Sequence, residues 1–490
     1  MIDIIINKNQ CKLVGDELTT HILQALDQEL SYEVPGSRFT PAFKRGWDGR
    51  KHLLNNKLIF PRGLLNRVVN FLAKYEVQCN IIDKNIISIS TQLDITDKLK
   101  NINKIPYDYQ IEASNKVSEF NYGIFKMATG SGKSLSIALM TAKLNKSTIV
   151  YVIGLSLLYQ MHELFVSIFG AEHVGIVGDG NCDIKIGTHD INIVSVWTAG
   201  LALGVDKKKI LNDDDDVLEK VDLTKHEQIR KLLATAKVVF LDECHTASCD
   251  SIVGINNITN AEHLYGMSAS PYTEDGSDLL IEGILGSVIV DISASYLIDL
   301  GYLAQPIIKF VKVPKIMFPK DVKYPAIYKE YIVENDVRNN IIVQNAKDLT
   351  TKGYKLLVLY KSINHGKILF EKISREIPCI LLSGKDDNET RDAAKIQMEN
   401  GEVSCVIASN IFDIGLDWPQ VSALILAGSG KSVVRSLQRI GRAIRKYPGK
   451  KFAAVVEFFD DARFLRDHTQ ARKKVYETEP RFKIIWPSKK

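Results

Sequence analysis

A glycine-rich segment of the chain combines the residue types that hold a triphosphate. Met127-Ala128-Thr129-Gly130-Ser131-Gly132-Lys133-Ser134 lies between an apolar strand pattern and a helix pattern. Its glycines let backbone N–H groups approach phosphates, and the following helix adds the positive end of its dipole. Lys133 can then reach the phosphate oxygens, and the Ser134 hydroxyl can bind Mg²⁺. The segment predicts an ATP and Mg²⁺ site formed by Thr129, Gly130, Ser131, Gly132, Lys133 and Ser134. A plain strand-to-helix turn is the alternative, since Met127 stands where the usual pattern begins with glycine.

Two carboxylates follow a second apolar run further along the chain. Residues 238–241 have the continuous apolar character of a strand buried on both faces, and Asp242 and Glu243 come directly after it. Parallel strands deliver such residues to the sheet edge that also carries the phosphate-binding turn. We expect Asp242 to hold Mg²⁺ and Glu243 to deprotonate the attacking water. Solvated charges at a strand end are the alternative.

A basic helix pattern near the C-terminus supplies a third set of candidates. Gln438, Arg442 and Arg445 are spaced by four and three residues, which places them on one helix face. Arginines that reach a γ-phosphate stabilise the charge that develops in the transition state. We predict that these three residues take part in catalysis, with a basic solvent-exposed face as the alternative.

The order of these segments resembles that of the superfamily 2 helicases and translocases of the DEAH type. Asp242-Glu243-Cys244-His245 is similar to their motif II, Ser268-Ala269-Ser270 to motif III, Gly415-Leu416-Asp417-Trp418-Pro419 to motif V, and 438–445 to motif VI. The resemblance implies that Gln110, upstream of the glycine-rich segment, reads the adenine edge, and that Gly415 and Asp417 also bind the nucleotide.

Alternating strand and helix patterns predict the elements that position these residues. They run from about residue 107 to 305 and again from about 355 to 459, and they indicate two parallel sheets covered by helices. With the resemblance, the expected α/β fold has two tandem RecA-like motor domains behind a small α+β N-terminal domain. The expected divisions are 1–100 (N-terminal basic domain), 101–305 (ATP-binding domain), 306–460 (helicase C-terminal domain) and 461–490 (basic tail). Four prolines in 306–325 predict a linker with extended pieces.

Positive charge is concentrated at both ends of the chain. The net charge is only +5, yet residues 32–75 carry nine Lys or Arg against two Asp or Glu, and residues 431–490 carry 17 against six. Such a distribution is typical of proteins that bind a phosphate backbone. Solvated surface charge is the alternative for either segment. The runs 207–209 (lysines) and 213–216 (aspartates) predict a solvated loop without chemistry.

Aromatic residues alternate with basic ones in residues 38–50, and Asp48-Gly49 is a strong turn signal. This predicts a hairpin whose basic side chains contact phosphates, namely Lys44, Arg45, Arg50 and Lys51, while Trp47 packs or stacks. A small core of Phe39, Phe43 and Trp47 is an equally good interpretation of the aromatics.

The same stretch resembles the N-terminal domain of the UvsW helicases of bacteriophages, and the similarity continues through Ser362–Lys367 and Leu382–Gly384. It implies an ATP-driven double-strand DNA translocase that unwinds or remodels forks, junctions and R-loops in phage recombination, repair and replication. An RNA-directed remodeller and a scaffold with an inactive motor remain alternatives. The direction of translocation is open, and a monomer is favoured.

Composition is consistent with a cytoplasmic protein, in the host cell if the protein is viral. The chain has no apolar stretch long enough for a membrane span, and it begins with a strand pattern rather than a signal peptide. Its seven cysteines include no Cys-x-x-Cys pair, which suits free thiols in a reducing compartment. Cys244, His245 and Cys249 lack a fourth ligand with zinc spacing, so we predict no metal cluster there.

Overall fold

The computed structural model describes residues 1–15, 17–205, 225–246, 250–271, 277–384, 386–409, 418–428, 430 and 433–487. The chain divides into two compact units, one of residues 1–127 and 132–291 and the other of residues 128–131 and 292–490. The charged runs at 207–216, Cys249, Gly415 and Asp417 lie outside the described residues. Within the described ranges, no helix is both long and apolar enough to cross a membrane.

The first unit begins with a small α+β region. Its elements are β1 (Ile2–Asn7), β2 (Gln10–Val14), α1 (Thr20–Glu29), β3 (Ser31–Glu33), α2 (Pro41–Lys44), β4 (Arg50–His52), β5 (Ile59–Pro61), α3 (Leu65–Lys74) and β6 (Cys79–Asp83). The strands form a four-stranded sheet in the order β5-β2-β1-β6, beside the separate pair β3-β4. Ile2, Ile4 and Ile6 alternate along β1 and are buried together with Val68 and Leu72 of α3. Alternate residues of β1 therefore point to one face of the sheet and pack against α3. The predicted small N-terminal domain is confirmed.

An eight-stranded sheet forms the rest of the first unit. Its strands are β7 (Tyr122–Met127), β8 (Thr148–Val152), β9 (Val174–Gly178), β10 (Asn181–Asp183), β11 (Ile191–Ser195), β12 (Val238–Asp242), β13 (His263–Ser268) and β14 (Val288–Ile292), in the order β10-β9-β11-β8-β12-β13-β7-β14. The accompanying helices are α4 (Thr96–Asn101), α5 (Asp108–Asn115), α6 (Lys133–Leu144), α7 (Leu155–Phe169), α8 (Val196–Ala202), α9 (His226–Thr235), α10 (Asp250–Ile258) and α11 (Asp278–Leu285). Every residue of β8, β11, β12 and β13 is buried, as expected for parallel strands that are covered on both faces.

The second unit contains a seven-stranded parallel sheet in the order β17-β18-β16-β19-β20-β15-β21. Its strands are β15 (Gln305–Val313), β16 (Leu356–Tyr360), β17 (Cys379–Leu382), β18 (Cys405–Ser409), β19 (Ala423–Leu426), β20 (Phe452–Asp460) and β21 (Lys483–Ile485). Its helices are α12 (Ala294–Asp299), α13 (Tyr324–Tyr328), α14 (Asp336–Thr351), α15 (Ile363–Ile373), α16 (Asn388–Asn400), α17 (Val433–Ala443) and α18 (Leu465–Tyr476). The two predicted parallel-sheet, RecA-like domains are therefore confirmed.

Two segments of the second unit are more ordered than the sequence analysis expected. The proline-bearing stretch begins with β15, which pairs with β20 from Gln305 to Val313 instead of forming a linker along that length. Pro306 lies at the start of β15, and the next proline follows its end, so neither proline interrupts the strand. Beyond residue 460, α18 packs on the sheet through the buried side chains of Leu465 and Tyr476, and β21 pairs with β15 at the edge of the sheet.

The N-terminal region is joined to the first motor domain by specific contacts inside the first unit. Arg67 on α3 lies 2.8 Å from Glu282 on α11, and Asn9 donates a hydrogen bond of 2.8 Å to the carbonyl of Asn256. A Cβ on Gly63 would lie 2.0 Å from the Glu282 carbonyl oxygen, so the backbones approach closely at a position where only glycine fits. These contacts fix the N-terminal region against the ATP-binding sheet.

Candidate active site

The phosphate-binding turn is built by the passage from β7 to α6. Gly132 has φ +77° and comes directly before the first residue of α6, Lys133. A Cβ at Gly132 would lie 2.4 Å from the amide nitrogen of Gln110, so both the backbone conformation and the space require glycine. The first N–H groups of α6 have no carbonyl partner within the helix and are available to an anion.

Gln110 supports this turn directly. Its Oε1 accepts a hydrogen bond of 2.9 Å from the Tyr107 N–H, and its Nε2 donates one of 3.4 Å to the Gly132 carbonyl. The side chain is 2% exposed. Tyr107 was not among the predicted site residues, yet its ring is exposed and stacks on Tyr109 with centroids 5.7 Å apart. An aromatic residue beside a helix start was the only sequence signal for it.

Lys133 and Glu243 form the central ion pair of the site. Their Nζ and Oε1 atoms lie 3.1 Å apart, with side chains 13% and 25% exposed. Burial opposes the charge of the ammonium group, but Glu243 and Asp242 outweigh it and raise the pKa of Lys133. Burial likewise opposes the Glu243 carboxylate, but Lys133 and His245 outweigh it and lower the pKa of Glu243. Both groups are therefore charged in the nucleotide-free protein.

Glu243 occupies an unusual backbone conformation. Its φ is +51°, a region that residues other than glycine rarely adopt, and its N–H donates a 3.0 Å hydrogen bond to Asp242 Oδ1. The conformation follows the last residue of β12 and brings the side chain to Lys133 and, at 3.4 Å, to Nδ1 of His245. Strain of this kind is typical of functional sites.

Asp242 is a buried carboxylate of the kind that can bind a cation. It ends the central strand β12 and is 3% exposed. Burial, with the nearby charge of Glu243, raises the pKa of Asp242 to about 6 against the opposing effect of Lys133. Among the described residues no group of three or more His, Cys, Asp or Glu side chains could hold a metal ion by itself. Asp242 and Ser134 supply a carboxylate and a hydroxyl oxygen, which fit Mg²⁺ as proteins usually bind it, together with phosphates and water.

The predicted motif III is linked to the predicted motif II through His245. Its Nδ1 lies 3.4 Å from the hydroxyl oxygen of Ser268, the last residue of β13. Ser268 is fully buried and also accepts a 3.2 Å hydrogen bond from the Ser270 N–H. A displacement of Ser268 at the end of β13 would therefore move His245, which contacts Glu243.

The predicted arginine set belongs to the second unit, as do Thr129, Gly130 and Ser131. Gln438 and Arg442 lie on α17 and are half-buried, whereas Arg445 follows the end of the helix at Ala443. Arg445 forms an antiparallel bridge with Leu303, and the Ile444 carbonyl accepts a 2.7 Å hydrogen bond from the Ala304 N–H. The end of the motif is thereby fixed to the start of β15.

The predicted DNA-contact residues lie on α2, on β4 and on the segment between them. The hairpin expected at Asp48-Gly49 is wrong, because residues 37–39 and 41–44 are helical and β4, which begins directly after Gly49, pairs with the earlier strand β3. Lys44, Arg45 and Lys51 are exposed. Arg50 is half-buried, and its guanidinium donates to the Ser31 hydroxyl and carbonyl at 3.0 and 2.7 Å. Trp47 is half-buried and donates a 3.0 Å hydrogen bond to the Arg50 carbonyl. Arg50 and Trp47 thus hold the β3-β4 region together.

Comparisons with known proteins agree with this geometry. Residues 103–273 match the family model described as type III restriction enzyme, res subunit; residues 337–447 match the helicase conserved C-terminal domain; and residues 3–82 match the N-terminal domain of the DNA helicase UvsW. The chain is 27% identical over 481 residues to the ATP-dependent DNA helicase uvsW of Enterobacteria phage T4, which covers 94% of this chain and 90% of that protein. The chain is a superfamily 2 helicase similar to UvsW.

More distant similarities extend beyond phages of bacteria. The helicase is 28% identical over 376 residues to putative helicase 22 of Sulfolobus islandicus filamentous virus, covering 71% of this chain and 63% of that protein. The crystal structure of the DUF1998 helicase MrfA bound to DNA matches with a TM-score of 0.55 and 16% identity, over 79% of this chain and 51% of that chain, and shows the fold alone. Together with the UvsW match, the helicase domains make the protein an ATP-dependent DNA helicase.

Proposed function

We propose that this UvsW-like helicase unwinds or branch-migrates forked and junction DNA, and that it acts as a monomer in phage recombination, repair and replication in the host cytoplasm. The observation that carries the proposal is the exposed basic surface around β3 and β4, on a region fixed to the ATP-binding domain through Arg67 and Glu282. Motor domains of this class grip the backbone of a strand, whereas a separate basic region can engage a duplex arm.

For the ATP site we propose the roles predicted from the sequence. Thr129, Gly130, Ser131, Gly132, Lys133 and Ser134 hold the phosphates, Gln110 lies toward the adenine, and Gly415 and Asp417 add nucleotide contacts. Asp242 and Ser134 would hold Mg²⁺, which neutralises charge on the β- and γ-phosphates. Gln438, Arg442 and Arg445 stabilise the charge of the transferring phosphoryl group.

The Lys133 to Glu243 contact indicates how the base becomes available. When the ammonium group of Lys133 turns to the phosphates, Glu243 loses a cation held at 3.1 Å and its carboxylate becomes more basic. Glu243 can then take a proton from water as the oxygen of that water bonds to the γ-phosphorus and the bond to ADP breaks. His245, at 3.4 Å, keeps the carboxylate oriented.

For DNA we propose that Lys44, Arg45 and Lys51 contact phosphates, because they are exposed at the end of α2 and on β4 of the N-terminal region. Arg50 contributes positive charge while its guanidinium remains hydrogen-bonded to Ser31. Trp47 stabilises the loop through its hydrogen bond to the Arg50 carbonyl. Each phosphate contact changes the slope of log affinity against log salt concentration by about 0.9 on duplex DNA.

The test compares ATPase rates with forked DNA, four-way junctions, linear duplex, single-stranded DNA and RNA as activators. We expect branched DNA to activate most strongly. The triple variant Lys44→Ala, Arg45→Ala, Lys51→Ala should keep the basal rate and bind forks more weakly, with a salt slope reduced by roughly 2–3.

A matched control removes three exposed lysines from the α4 region, Lys98, Lys100 and Lys104, and should leave fork binding unchanged. Equal activation by RNA and DNA would instead favour the RNA-directed remodeller. Activation by linear duplex as strong as that by forks would contradict the branch specificity.

A further inference from the structure

Phe39 projects from the N-terminal region with 88% of its surface exposed. Phe43, next along the loop, is 37% exposed, and Trp47 is half-buried. Phe39 therefore takes no part in the small aromatic core that the sequence allowed. An isolated exposed apolar residue is ordinary on a protein surface, so its meaning depends on how it is held and on what surrounds it.

The backbone that carries Phe39 is tightly braced. Ser37 is 1% exposed, and its carbonyl accepts a 2.7 Å hydrogen bond from the Thr40 hydroxyl. Thr40 Oγ1 in turn accepts a 3.2 Å bond from the Phe43 N–H and so caps α2. The Phe39 N–H donates to the Gly36 carbonyl at 3.0 Å. The aromatic ring is thus presented to solvent by an ordered turn.

Basic residues flank Phe39 in the sequence. Arg38 is 73% exposed, and the exposed residues Lys44 and Arg45 follow at the end of α2. The nearby acidic groups already have partners: Glu33 lies 3.3 Å from Arg38, and Asp48 lies 2.9 Å from His52. A surface that combines an exposed aromatic ring with exposed cations complements a nucleic acid, whose bases stack and whose phosphates carry charge.

We propose that Phe39 is a wedge that stacks on the exposed nucleobase at the branch point of DNA, while Lys44 and Arg45 hold the flanking phosphates. The inference rests on the proposed function and specifies its substrate contact. Apolar side chains that insert at base steps unstack them. Because Arg67 and Glu282 join this region to the ATP-binding domain, the wedge keeps a fixed position within the unit that contains Lys133.

The test uses Phe39→Ala, Phe39→Leu and Phe39→Trp in the full chain, with forks that carry 2-aminopurine at the branch. Wild type and Phe39→Trp should quench the fluorescence of the probe by stacking. Phe39→Ala and Phe39→Leu should lose the quenching and bind forks about 10-fold more weakly, with unchanged affinity for linear duplex. The leucine variant keeps an apolar side chain without a ring, so it separates stacking from packing.

Ile86→Ala is the matched control, since Ile86 is also 88% exposed, and it should behave as wild type. All variants should melt at the wild-type temperature, which shows that they fold. Wild-type quenching and fork affinity in both Phe39→Ala and Phe39→Leu would overturn the wedge. A wild-type protein without fork preference would overturn the proposed function instead, whatever the variants do.

Discussion

Two ion pairs, one in each unit, use the same chemistry in opposite surroundings. In the first unit Lys133 and Glu243 meet at 3.1 Å and are 13% and 25% exposed. In the second unit Arg472 and Glu457 meet at 3.1 Å and are 2% and 1% exposed. Glu457 also accepts a 2.6 Å hydrogen bond from the Tyr476 hydroxyl, and Arg472 donates to the Gly430 carbonyl at 2.9 Å.

Each glutamate has two partners, Lys133 and His245 for Glu243, so the difference lies in burial and in backbone conformation. The Glu457 carboxylate accepts hydrogen bonds from the Arg472 guanidinium and the Tyr476 hydroxyl in a fully buried environment, so we expect this pair to stay together. Around Glu243 the backbone is strained, and the neighbouring Asp242 is buried with a raised pKa, chiefly because of its burial. We infer that the first pair is held ready for chemistry, whereas the second stabilises the fold.

The largest expected effect is on turnover at the first pair. Lys133→Ala should abolish ATP hydrolysis, because it removes the phosphate-binding ammonium group. Glu243→Gln should keep ATP binding and lower turnover by about 10²- to 10⁴-fold, because glutamine cannot accept the proton of water. Nucleotide binding by fluorescence and steady-state ATPase rates separate the two effects. An undiminished rate in Glu243→Gln would remove this residue from the role of base.

Arg445→Ala should come next, since it tests whether the second unit contributes to chemistry through its arginine set. Turnover is expected to fall by about 10³-fold, by analogy with arginine fingers, with little change in DNA affinity. Lys446→Ala, at the exposed neighbouring position, is the control and should keep the wild-type rate. If Arg445→Ala instead lost DNA binding but kept its rate per bound complex, the segment would be a phosphate-contact surface.

The second pair should affect stability rather than turnover. Arg472→Met leaves the Glu457 carboxylate buried without its cation and should cost about 3–5 kcal/mol in the free energy of unfolding. Adding Glu457→Leu should recover much of that loss. Calorimetric melts of the full chain test this, with Lys347→Met as the control at an exposed pair with Glu376. A single variant with the wild-type melt would show that the pair is dispensable.

The motifs of the site were predictable because their positions follow from strand order. An apolar run that ends in Asp242 and Glu243 must deliver them to a sheet edge, and the structure places Glu243 in contact with Lys133 there. The bond from Gln110 to Gly132 was not predictable, since it joins residues on separate elements through one amide nitrogen. The positive φ of Glu243 likewise has no signal in residue type.

Charge and proline counts were weaker guides in the second unit. Arg472 was counted among the basic residues of a tail, but composition cannot distinguish a solvated cation from one paired with a distant Glu457. Prolines around β15 favoured a linker, although Pro306 lies where a strand tolerates it. Sequence patterns therefore identified the chemistry better than they identified the packing around it.

The smallest expected effect concerns Asp242. This buried carboxylate accepts a hydrogen bond from the Glu243 N–H, whereas Glu457 accepts hydrogen bonds from an arginine and a tyrosine. The pKa of Asp242 is raised, chiefly by burial, from 3.8 to about 6. A raised pKa means that protonation stabilises the folded state, so this contribution is complete below about pH 3.8 and is lost as the pH rises through about 6.

At pH 7.5, without nucleotide or Mg²⁺, Asp242→Asn should therefore melt a few degrees above wild type. The difference in melting temperature should shrink as the pH falls toward 5. The Asp242→Asn variant should also lose ATPase activity. Asp97→Asn, at a position 91% exposed, is the control and should melt as wild type does at every pH. A lower melting temperature for Asp242→Asn at pH 7.5 would show that the charged Asp242 carboxylate stabilises the folded state. Asp242 would then act as Glu457 does, contrary to the prediction.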